Sequence, residues 1–356
     1  MKPSRILAVV ALVAAVAAGC GTGSGTESAS TPSAVPDDGT TFSNPIAALG
    51  NDPYVIAHED GYLFVEARSN GELWVTTSDP HNLTDALWSG QRTKVWQPPS
   101  FGPNCRDVWA PELHPIGDRW YLYYAATTCD GDNANHRMFV LESEGSDPLG
   151  PYIDRGQITD DTDRWAIDGT VLETGEQLYF VWSGWEGTQD GQQNLYAATM
   201  SDPVTISGPR VQISAPTEPW ESREMPIQEG PQVLRHPEAL HLVYSTSASW
   251  TDDYAYGLLT LTGDDVLDPA SWSKSAEAVF SKTGSVRGPG HGSFVASPDG
   301  TEDWMVYHAT RTVGWDRMVF AQRFTWLPDG TPDFGEPVTA GVRQEVPSGQ
   351  VLPARE

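Results

Sequence analysis

Short segments rich in Tyr, Val, Leu and Trp recur along the chain, and turn pairs such as DG, GD, GE and PDG separate them. A typical segment reads HEDGYLFVEA, where a turn leads directly into an aromatic and apolar run. Helical periodicity is nearly absent. Such runs between turn signals predict β-strands, so the sequence predicts an all-β fold.

The strand segments form a repeat of about sixty residues. Five units start near residues 51, 109, 166, 228 and 288, and each contains a polar residue, a strand, a turn, an aromatic strand and a third strand. The polar residues that head the units are Asp52, Glu112, Asp168, Glu229 and His291. Their separations are 60, 56, 61 and 62 positions. Repeats that contain only strands are typical of β-propellers, so we predict a five-bladed β-propeller.

The propeller prediction brings distant carboxylates together. The first strand of every blade lines the central channel, so Asp52, Asp168 and Glu229 are predicted to meet at one mouth. Glu229 is the one charged residue in MPIQEGPQVL. Burial raises the pKa of a carboxyl group because the charged form loses its water, so a partly apolar cleft can hold one proton at neutral pH. Each acid alone would more often be a turn or cap residue than a catalyst, but an acid among carboxylates in such a cleft is how an enzyme holds one proton.

The first 42 residues have a different composition from the repeats. Lys2 and Arg5 precede an apolar run, and small residues lead into Cys20, which predicts a signal peptide over residues 1–20. The end AAGC resembles a lipoprotein lipobox, which favours a lipid on Cys20 over plain cleavage. Residues 21–42 are rich in Gly, Ser, Thr and Pro, so we expect a flexible linker, with the propeller over residues 43–356. The protein is therefore expected to be exported, as an envelope lipoprotein or a secreted protein.

The net charge restricts which ligands the protein can bind, and the cysteine content bears on a disulfide. The formal net charge is −27, from 48 acidic and 21 basic residues, and such a surface repels nucleic acid and anionic membranes. Neutral partners remain open to such a surface, and the 14 tryptophans favour sugar rings as ligands. Membrane attachment is expected only through Cys20. Cys105 and Cys129 remain as a pair in an exported chain, either as a disulfide or as two thiols.

The motifs NDPYVI, VWAPELH, AIDGTVL, EGPQVL and GPGHGSF, followed by MVYHA and DRMVFAQRFTWLPDGTPDFG, resemble glycoside hydrolase family 43, especially its arabinofuranosidase-type members. The resemblance covers residues 44 to 340 in the family's order. It implies a five-bladed propeller that hydrolyses arabinose- or xylose-containing polysaccharides with inversion. We therefore expect an exo-acting α-L-arabinofuranosidase, with β-xylosidase and endo-arabinanase as alternatives within the family.

The resemblance also implies roles for the three acids. Asp52 matches the general base, Glu229 the general acid, and Asp168 the third carboxylate, which raises the pKa of the acid and orients it. Inversion places a water between base and sugar, so the acid and the base should lie roughly 6.5–9.5 Å apart. Two neighbouring carboxyl groups share their titration, so Glu229 is expected to stay protonated while Asp168 is charged.

Further residues match substrate and metal positions of the family. His291 matches a residue that reaches a central cation, commonly calcium, with waters in the shell. Trp109 is a candidate sugar platform, and Arg317 matches an Arg that contacts substrate hydroxyls, with Arg311 as the alternative. Glu112 is expected to be structural or part of the hydrogen bonding in the channel. The other candidate platforms are Trp165, Trp185, Trp250 and Trp315, although most propeller tryptophans pack between blades.

Two readings from other classes compete with this one. A cell-surface propeller that binds carbohydrate without catalysis would be favoured if one of the three carboxylates were missing, and all three are present. A retaining transfructosylase or invertase relative would use a carboxylate nucleophile, and the EGP and GPGH motifs argue against it.

Overall fold

The structure, a computed structural model, describes residues 39–78, 81–310 and 316–351. Within these ranges, five antiparallel sheets of four or five strands follow one another along the chain, and the first four strands of each pair in chain order. Each sheet is one blade. The predicted all-β class and five-bladed propeller are confirmed.

Four strands build the core of every blade, and blade III carries a fifth. Blade I contains β2 (Tyr54–His58), β3 (Gly61–Ala67), β4 (Leu73–Thr77) and β5 (Gln91–Trp96). Blade II contains β6 (Arg106–Ile116), β7 (Arg119–Thr127), β8 (Arg137–Ser143) and β9 (Tyr152–Ile158). Blade III contains β10 (Ala166–Thr174), β11 (Gln177–Trp185), β12 (Gln193–Asp202), β13 (Thr205–Ile206) and β14 (Val211–Ser214).

The remaining two blades repeat this plan. Blade IV contains β15 (Gln228–His236), β16 (Ala239–Thr246), β17 (Ala255–Leu261) and β18 (Trp272–Lys274). Blade V contains β19 (Arg287–Ala296), β20 (Asp303–Thr310), β21 (Arg317–Trp326) and β22 (Pro332–Asp333). The described helical pieces are short: α1 (Ala86–Ser89) and the 3₁₀ turns Asn133–Asn135, Pro219–Ser222 and Pro269–Ser271. In the described part of the chain, no helix has the length and apolar character needed to cross a membrane.

The turns predicted from sequence close the inner hairpins. Between β10 and β11, Thr174 pairs with Gln177, so only Gly175 and Glu176 form the turn. Gly175 has a φ of 60°, the left-handed conformation that a two-residue hairpin turn requires and that glycine adopts without steric cost. The two-residue turn therefore fixes which residues of β10 and β11 pair with each other.

Five apolar clusters hold the described blades together, one between each pair of neighbours. In the cluster between blades II and III, the rings of Tyr123 and Phe180 lie 5.4 Å apart, and Trp165 stacks on Trp185 at 4.7 Å. Burying one large side chain contributes about 1.5–3 kcal/mol. Packing between blades, rather than any single sheet, therefore stabilises the fold.

The ring closes between blade V and blade I. The backbone N–H of Val55 in β2 donates to Ser293 Oγ in β19 at 2.8 Å. Near the termini, β1 (Thr41–Ser43) pairs antiparallel with β23 (Arg343–Glu345). Asn44 then exchanges two hydrogen bonds with the backbone of Ala321 in β21. Strand β1 begins at Thr41, inside the segment assigned to the linker; the signal peptide, Cys20 and most of that linker lie outside the described residues.

Candidate active site

One backbone conformation is repeated in all five blades, within the innermost strand or, in blade I, two residues before it. Asp52, Ala110, Asp168, Gly230 and His291 have φ values of 47°, 42°, 55°, 54° and 39°. A left-handed conformation costs a residue with a Cβ about 1 kcal/mol or more, and such strain concentrates at functional sites. The register of the innermost hairpin breaks at this position in the four later blades. These kinks form a ring of strained residues at one mouth of the channel.

The ring refines the alignment of the repeat. Asp52, Asp168 and His291 occupy equivalent backbone positions, as predicted. In blade II the equivalent residue is Ala110, two positions before Glu112, and in blade IV it is Gly230, one position after Glu229. The acid of blade IV therefore reaches the mouth from a different backbone position than the acids of blades I and III.

Asp52 lies among cationic and imidazole side chains of blade V. Its Oδ1 is 3.4 Å from Arg317 Nη1, 3.3 Å from His291 Nδ1 and 3.2 Å from His308 Nδ1. Removal from bulk water opposes ionisation of Asp52, but the charge of His291, the hydrogen bond to His308 and the charge of Arg317 outweigh that effect and hold its pKa well below the usual range. Its side chain is still 20% exposed. Asp52 is therefore an ionised carboxylate that water can reach, as a general base must be.

Asp168 and Glu229 lie together on the other side of the mouth, and both are buried. Burial raises the pKa of Asp168 to about 8, with a further rise from the charge of Glu229, and burial also raises the pKa of Glu229. The pair therefore holds a proton at neutral pH. The Gly230 N–H donates to Asp168 Oδ2 at 3.0 Å, a bond that favours the charged form of Asp168. That Glu229 alone carries the proton stays a prediction.

His291 lies between the two groups of acids. Its Nδ1 is 3.3 Å from Asp52 and 3.8 Å from Asp168 Oδ2. Burial disfavours the protonated imidazole, but the surrounding carboxylates outweigh it and raise the pKa of His291. Potential ligand atoms of Asp168, Glu229 and His291 all lie within 4.8 Å of one another. The three acids and the histidine thus form one cluster, as the repeat predicted.

Glu112 lies in the channel and takes part in its hydrogen bonding. It is 3% exposed, and its Oε1 accepts a hydrogen bond from Gln232 of blade IV. Its Oε2 pairs with His114 Nε2 at 2.8 Å. This network connects blades II and IV, so Glu112 takes part in the hydrogen bonding of the channel, as expected for it.

The aromatic candidates divide into two groups. Trp109 is 38% exposed, and its ring stacks on His136 at 3.8 Å, so it stays a candidate sugar platform. Trp165 and Trp185 are 3% and 2% exposed and stack on each other, so they are interblade packing residues and not platforms. Trp250 is partly exposed. The two remaining candidates, Arg311 and Trp315, lie outside the described residues.

Two neighbours of the acids were not singled out from the sequence. Tyr254 donates its hydroxyl to Glu229 Oε1 at 2.8 Å, and the Asp52 N–H donates to His308 Nδ1 at 3.1 Å. His308 belongs to MVYHA, a motif that entered the resemblance, but nothing assigned that residue a role. Tyr254 lies between two repeat heads, where periodicity gives no signal.

Cys105 and Cys129 form a disulfide with a Cα–Cα distance of 5.3 Å, which decides between the two alternatives. It ties the segment before β6 to the segment after β7 in blade II. The loop that leads into Trp109 is thereby attached to the rest of its own blade.

A five-bladed propeller that brings three carboxylates to one mouth has the paired carboxyl groups that glycoside hydrolysis requires. A family model agrees with this class, because Glycosyl hydrolases family 43 matches residues 42–332. The chain belongs to glycoside hydrolase family 43.

Named relatives refine the comparison. The chain is 35% identical over 315 residues to an extracellular exo-alpha-(1->5)-L-arabinofuranosidase of Streptomyces avermitilis, with 85% of this chain and 65% of the relative covered. It is 33% identical to alpha-L-arabinofuranosidase 43 of Humicola insolens, over 86% of this chain and 66% of that protein. The chain thus spans slightly less than two thirds of these relatives. The crystal structure of an alpha-L-arabinofuranosidase from Lactobacillus brevis superposes with a TM-score of 0.78 at 32% identity, covering 85% of this chain and 98% of that one.

Proposed function

We propose that the protein is an inverting, exo-acting α-L-arabinofuranosidase that releases L-arabinofuranose from neutral arabinan- or arabinoxylan-type saccharides. The observation that carries the proposal is the contrast between two carboxyl sites at one mouth: Asp52 lies 3.4 Å from the Arg317 guanidinium, whereas Asp168 and Glu229 are buried beside each other. Asp52 is held ionised, while the Asp168–Glu229 pair retains a proton. Membership in family 43 and the arabinofuranosidase names of its relatives support arabinofuranose as the released sugar.

The proposed reaction uses each carboxyl group once. Asp52 takes a proton from a water molecule as the water oxygen bonds to the anomeric carbon. Glu229 gives its proton to the departing glycosidic oxygen as the bond from that oxygen to the anomeric carbon breaks. Asp168 orients Glu229 and, when charged, disfavours a second negative charge beside it. Arg317 contacts substrate hydroxyls, and Trp109 stacks against a sugar ring of the substrate.

A panel of aryl glycosides tests the proposal. The protein should release arabinose from aryl α-L-arabinofuranosides, and NMR of the first product should show the inverted anomer. Faster release of xylose from aryl xylosides would replace the proposal with a β-xylosidase. Internal cleavage of arabinan with no release of arabinose from the aryl substrate would indicate an endo-arabinanase. Binding of the saccharide without turnover of any substrate would indicate a carbohydrate-binding propeller.

We also propose a calcium ion at the cluster around His291. Calcium–oxygen distances of about 2.3–2.6 Å allow two ligands on opposite sides of one ion to lie nearly 5 Å apart. The negative charge of the surrounding carboxylates would attract such an ion to the neutral form of His291, with waters completing the shell, and potential ligand atoms of Asp168, Glu229 and His291 lie within 4.8 Å of one another. When bound, the ion would supply positive charge and ordered water beside the carboxylates. Chelation should lower both the melting temperature and the turnover, and added calcium should restore them; equal values with and without chelator would contradict the proposal.

The proposal also includes export of the protein and a lipid anchor on Cys20. The AAGC sequence supports lipidation of Cys20, and relatives are named extracellular enzymes. The lipid would hold the enzyme at the cell envelope, where it would trim oligosaccharides. Mass spectrometry of the mature protein should find a diacylglycerol-modified Cys20 at the N-terminus. An unmodified Cys20 would leave secretion without an anchor.

A further inference from the structure

We infer that Tyr254 and His308 form a stacked pair of positioning residues that fixes the general acid relative to the general base. The inference rests on the proposed function, because it concerns how Glu229 and Asp52 are held for an inverting reaction. It assigns roles to two residues that are not carboxylates: Tyr254, which contacts Glu229, and His308, which contacts Asp52.

Tyr254 fixes one oxygen of the acid. The residue is fully buried, and its hydroxyl donates to Glu229 Oε1 at 2.8 Å. In a protonated carboxyl group the carbonyl oxygen is the better acceptor, so this bond makes Oε1 the carbonyl and leaves the proton on Oε2. Tyr254 therefore selects the oxygen that delivers the proton and the direction in which the proton points.

His308 fixes the base in its strained backbone conformation. The residue is 0% exposed, and its Nδ1 lies 3.1 Å from Asp52 N and 3.2 Å from Asp52 Oδ1. With the ring proton on Nε2, Nδ1 accepts the backbone N–H; with the proton on Nδ1, the ring donates to the carboxylate. Either tautomer ties the ring to Asp52, whose φ of 47° needs such support.

The two rings make one rigid unit across the boundary between blades IV and V. Their centroids are 5.5 Å apart and their planes differ by 6°. The backbone of β19 is shaped around this unit, because a Cβ added at Gly290 would lie 2.4 Å from Tyr254 Cε1. The GPG of the GPGHGSF motif thus makes room for the tyrosine ring. A continuous path runs from Glu229 through Tyr254 and His308 to Asp52, and it holds the separation on which inversion depends.

Substitution of Tyr254 by Phe tests the acid side, because it keeps the stacked ring and removes only the hydroxyl. The test compares an arabino-oligosaccharide, whose leaving group needs a proton, with dinitrophenyl arabinofuranoside, whose leaving group does not. We expect kcat on the oligosaccharide to fall about 10- to 100-fold, the range for losing a hydrogen bond to the carboxylate that forms as Glu229 gives up its proton, and kcat on the dinitrophenyl substrate to change little. Equal losses on both substrates would overturn the role of Tyr254.

Tyr256→Phe is the matched control. Tyr256 is 1% exposed, and its hydroxyl has no hydrogen-bond partner among the described residues, so its removal should leave both rates unchanged. A crystal structure of Tyr254→Phe adds a readout that needs no turnover. It should show the Glu229 carboxyl group rotated relative to wild type, and an unmoved carboxyl group would refute the inference.

Two variants of His308 test the base side. Asn can place an oxygen or an amide nitrogen where Nδ1 lies, so His308→Asn should keep kcat within a few-fold of wild type. His308→Leu should lower kcat by a similar factor on both substrates, because the base acts on water whatever the leaving group. Equal rates for the Asn and Leu variants would refute the role of His308. Wild-type turnover in the same assays tests the proposed function separately, while the crystal structure tests the inference even if that function fails.

Discussion

The two sides of the proposed catalytic mouth are built from the same type of side chain and behave in opposite ways. On the base side, Asp52 faces Arg317 and two histidines of blade V, and its pKa is depressed. On the acid side, Asp168 and Glu229 face each other, and their pKa values are raised. Burial acts in the same direction on all three carboxyl groups. The nearby charges of blade V therefore decide which one ionises.

This difference explains why a propeller suits the reaction. The base and its cations come from blades I and V, whereas the proton-holding pair comes from blades III and IV. Because each blade contributes a separate strand, the two environments can be tuned independently around one axis. Substitutions that change only one of the two environments should therefore affect activity in different ways.

Replacing each of the two working acids by its amide should separate the two sides most strongly. Asp52→Asn should lower kcat/KM about 1,000-fold on both oligosaccharide and dinitrophenyl substrates, since the base is needed for either leaving group. Glu229→Gln should lose a similar factor on the oligosaccharide and regain most of it on the dinitrophenyl substrate. Kinetics on the two substrates decide the outcome. If a good leaving group rescued Asp52→Asn instead, the two roles would have to be exchanged.

Gly230→Ala should disturb the acid side through the backbone. An added Cβ would lie 3.0 Å from the His291 ring, at a φ of 54° that disfavours alanine. A displacement of about 1 Å in the cluster can lower turnover about 100-fold. Gly175→Ala is the control: its φ is 60°, but nothing lies within 4 Å of the added Cβ. That variant should lose about 1 kcal/mol of stability and no activity. Similar kcat values for the two variants would disprove the steric argument.

Arg317→Gln should raise the pKa of Asp52 and so make the base side more similar to the acid side. Loss of the charge 3.4 Å from Asp52 should raise the pKa of the base by about 1–3 units. The base must be ionised, so the acid limb of the kcat/KM profile should move to higher pH by that amount. Arg317→Lys keeps the charge and should keep the limb near its wild-type position, even if KM rises. An unshifted acid limb in the Gln variant would exclude Arg317 as the cause of the low pKa.

The disulfide belongs to neither side and should affect activity least. Replacing Cys105 and Cys129 together by Ser removes a cross-link between residues 24 positions apart. The loop-entropy model gives a loss of about 3 kcal/mol of unfolding free energy, while kcat should remain near wild type. Denaturant unfolding and the aryl arabinofuranoside assay measure the two quantities. A large fall in kcat at unchanged stability would mean that the loop before Trp109 acts in catalysis.

The acids at the mouth show how far sequence reasoning reaches. Asp52, Asp168 and Glu229 could be brought together because a sixty-residue repeat implies equivalent positions around an axis. Glu112 heads its unit in the same way, yet the structure places Ala110 at the equivalent backbone position. Spacing alone cannot distinguish these cases, since a shift of one or two residues at a kink changes which side chain faces the mouth.

The sequence by itself determined the strand content, the five blades and the identity of the acids, because strand patterns, turns and motifs are local features that repeat along the chain. Only the tertiary structure decided how those acids differ. Arg317 and His308 approach Asp52 across more than 250 positions, and Tyr254 reaches Glu229 from the next but one strand of its blade. A pKa depends on charges and hydrogen bonds within a few ångströms in space, and sequence distance carries no information about that neighbourhood.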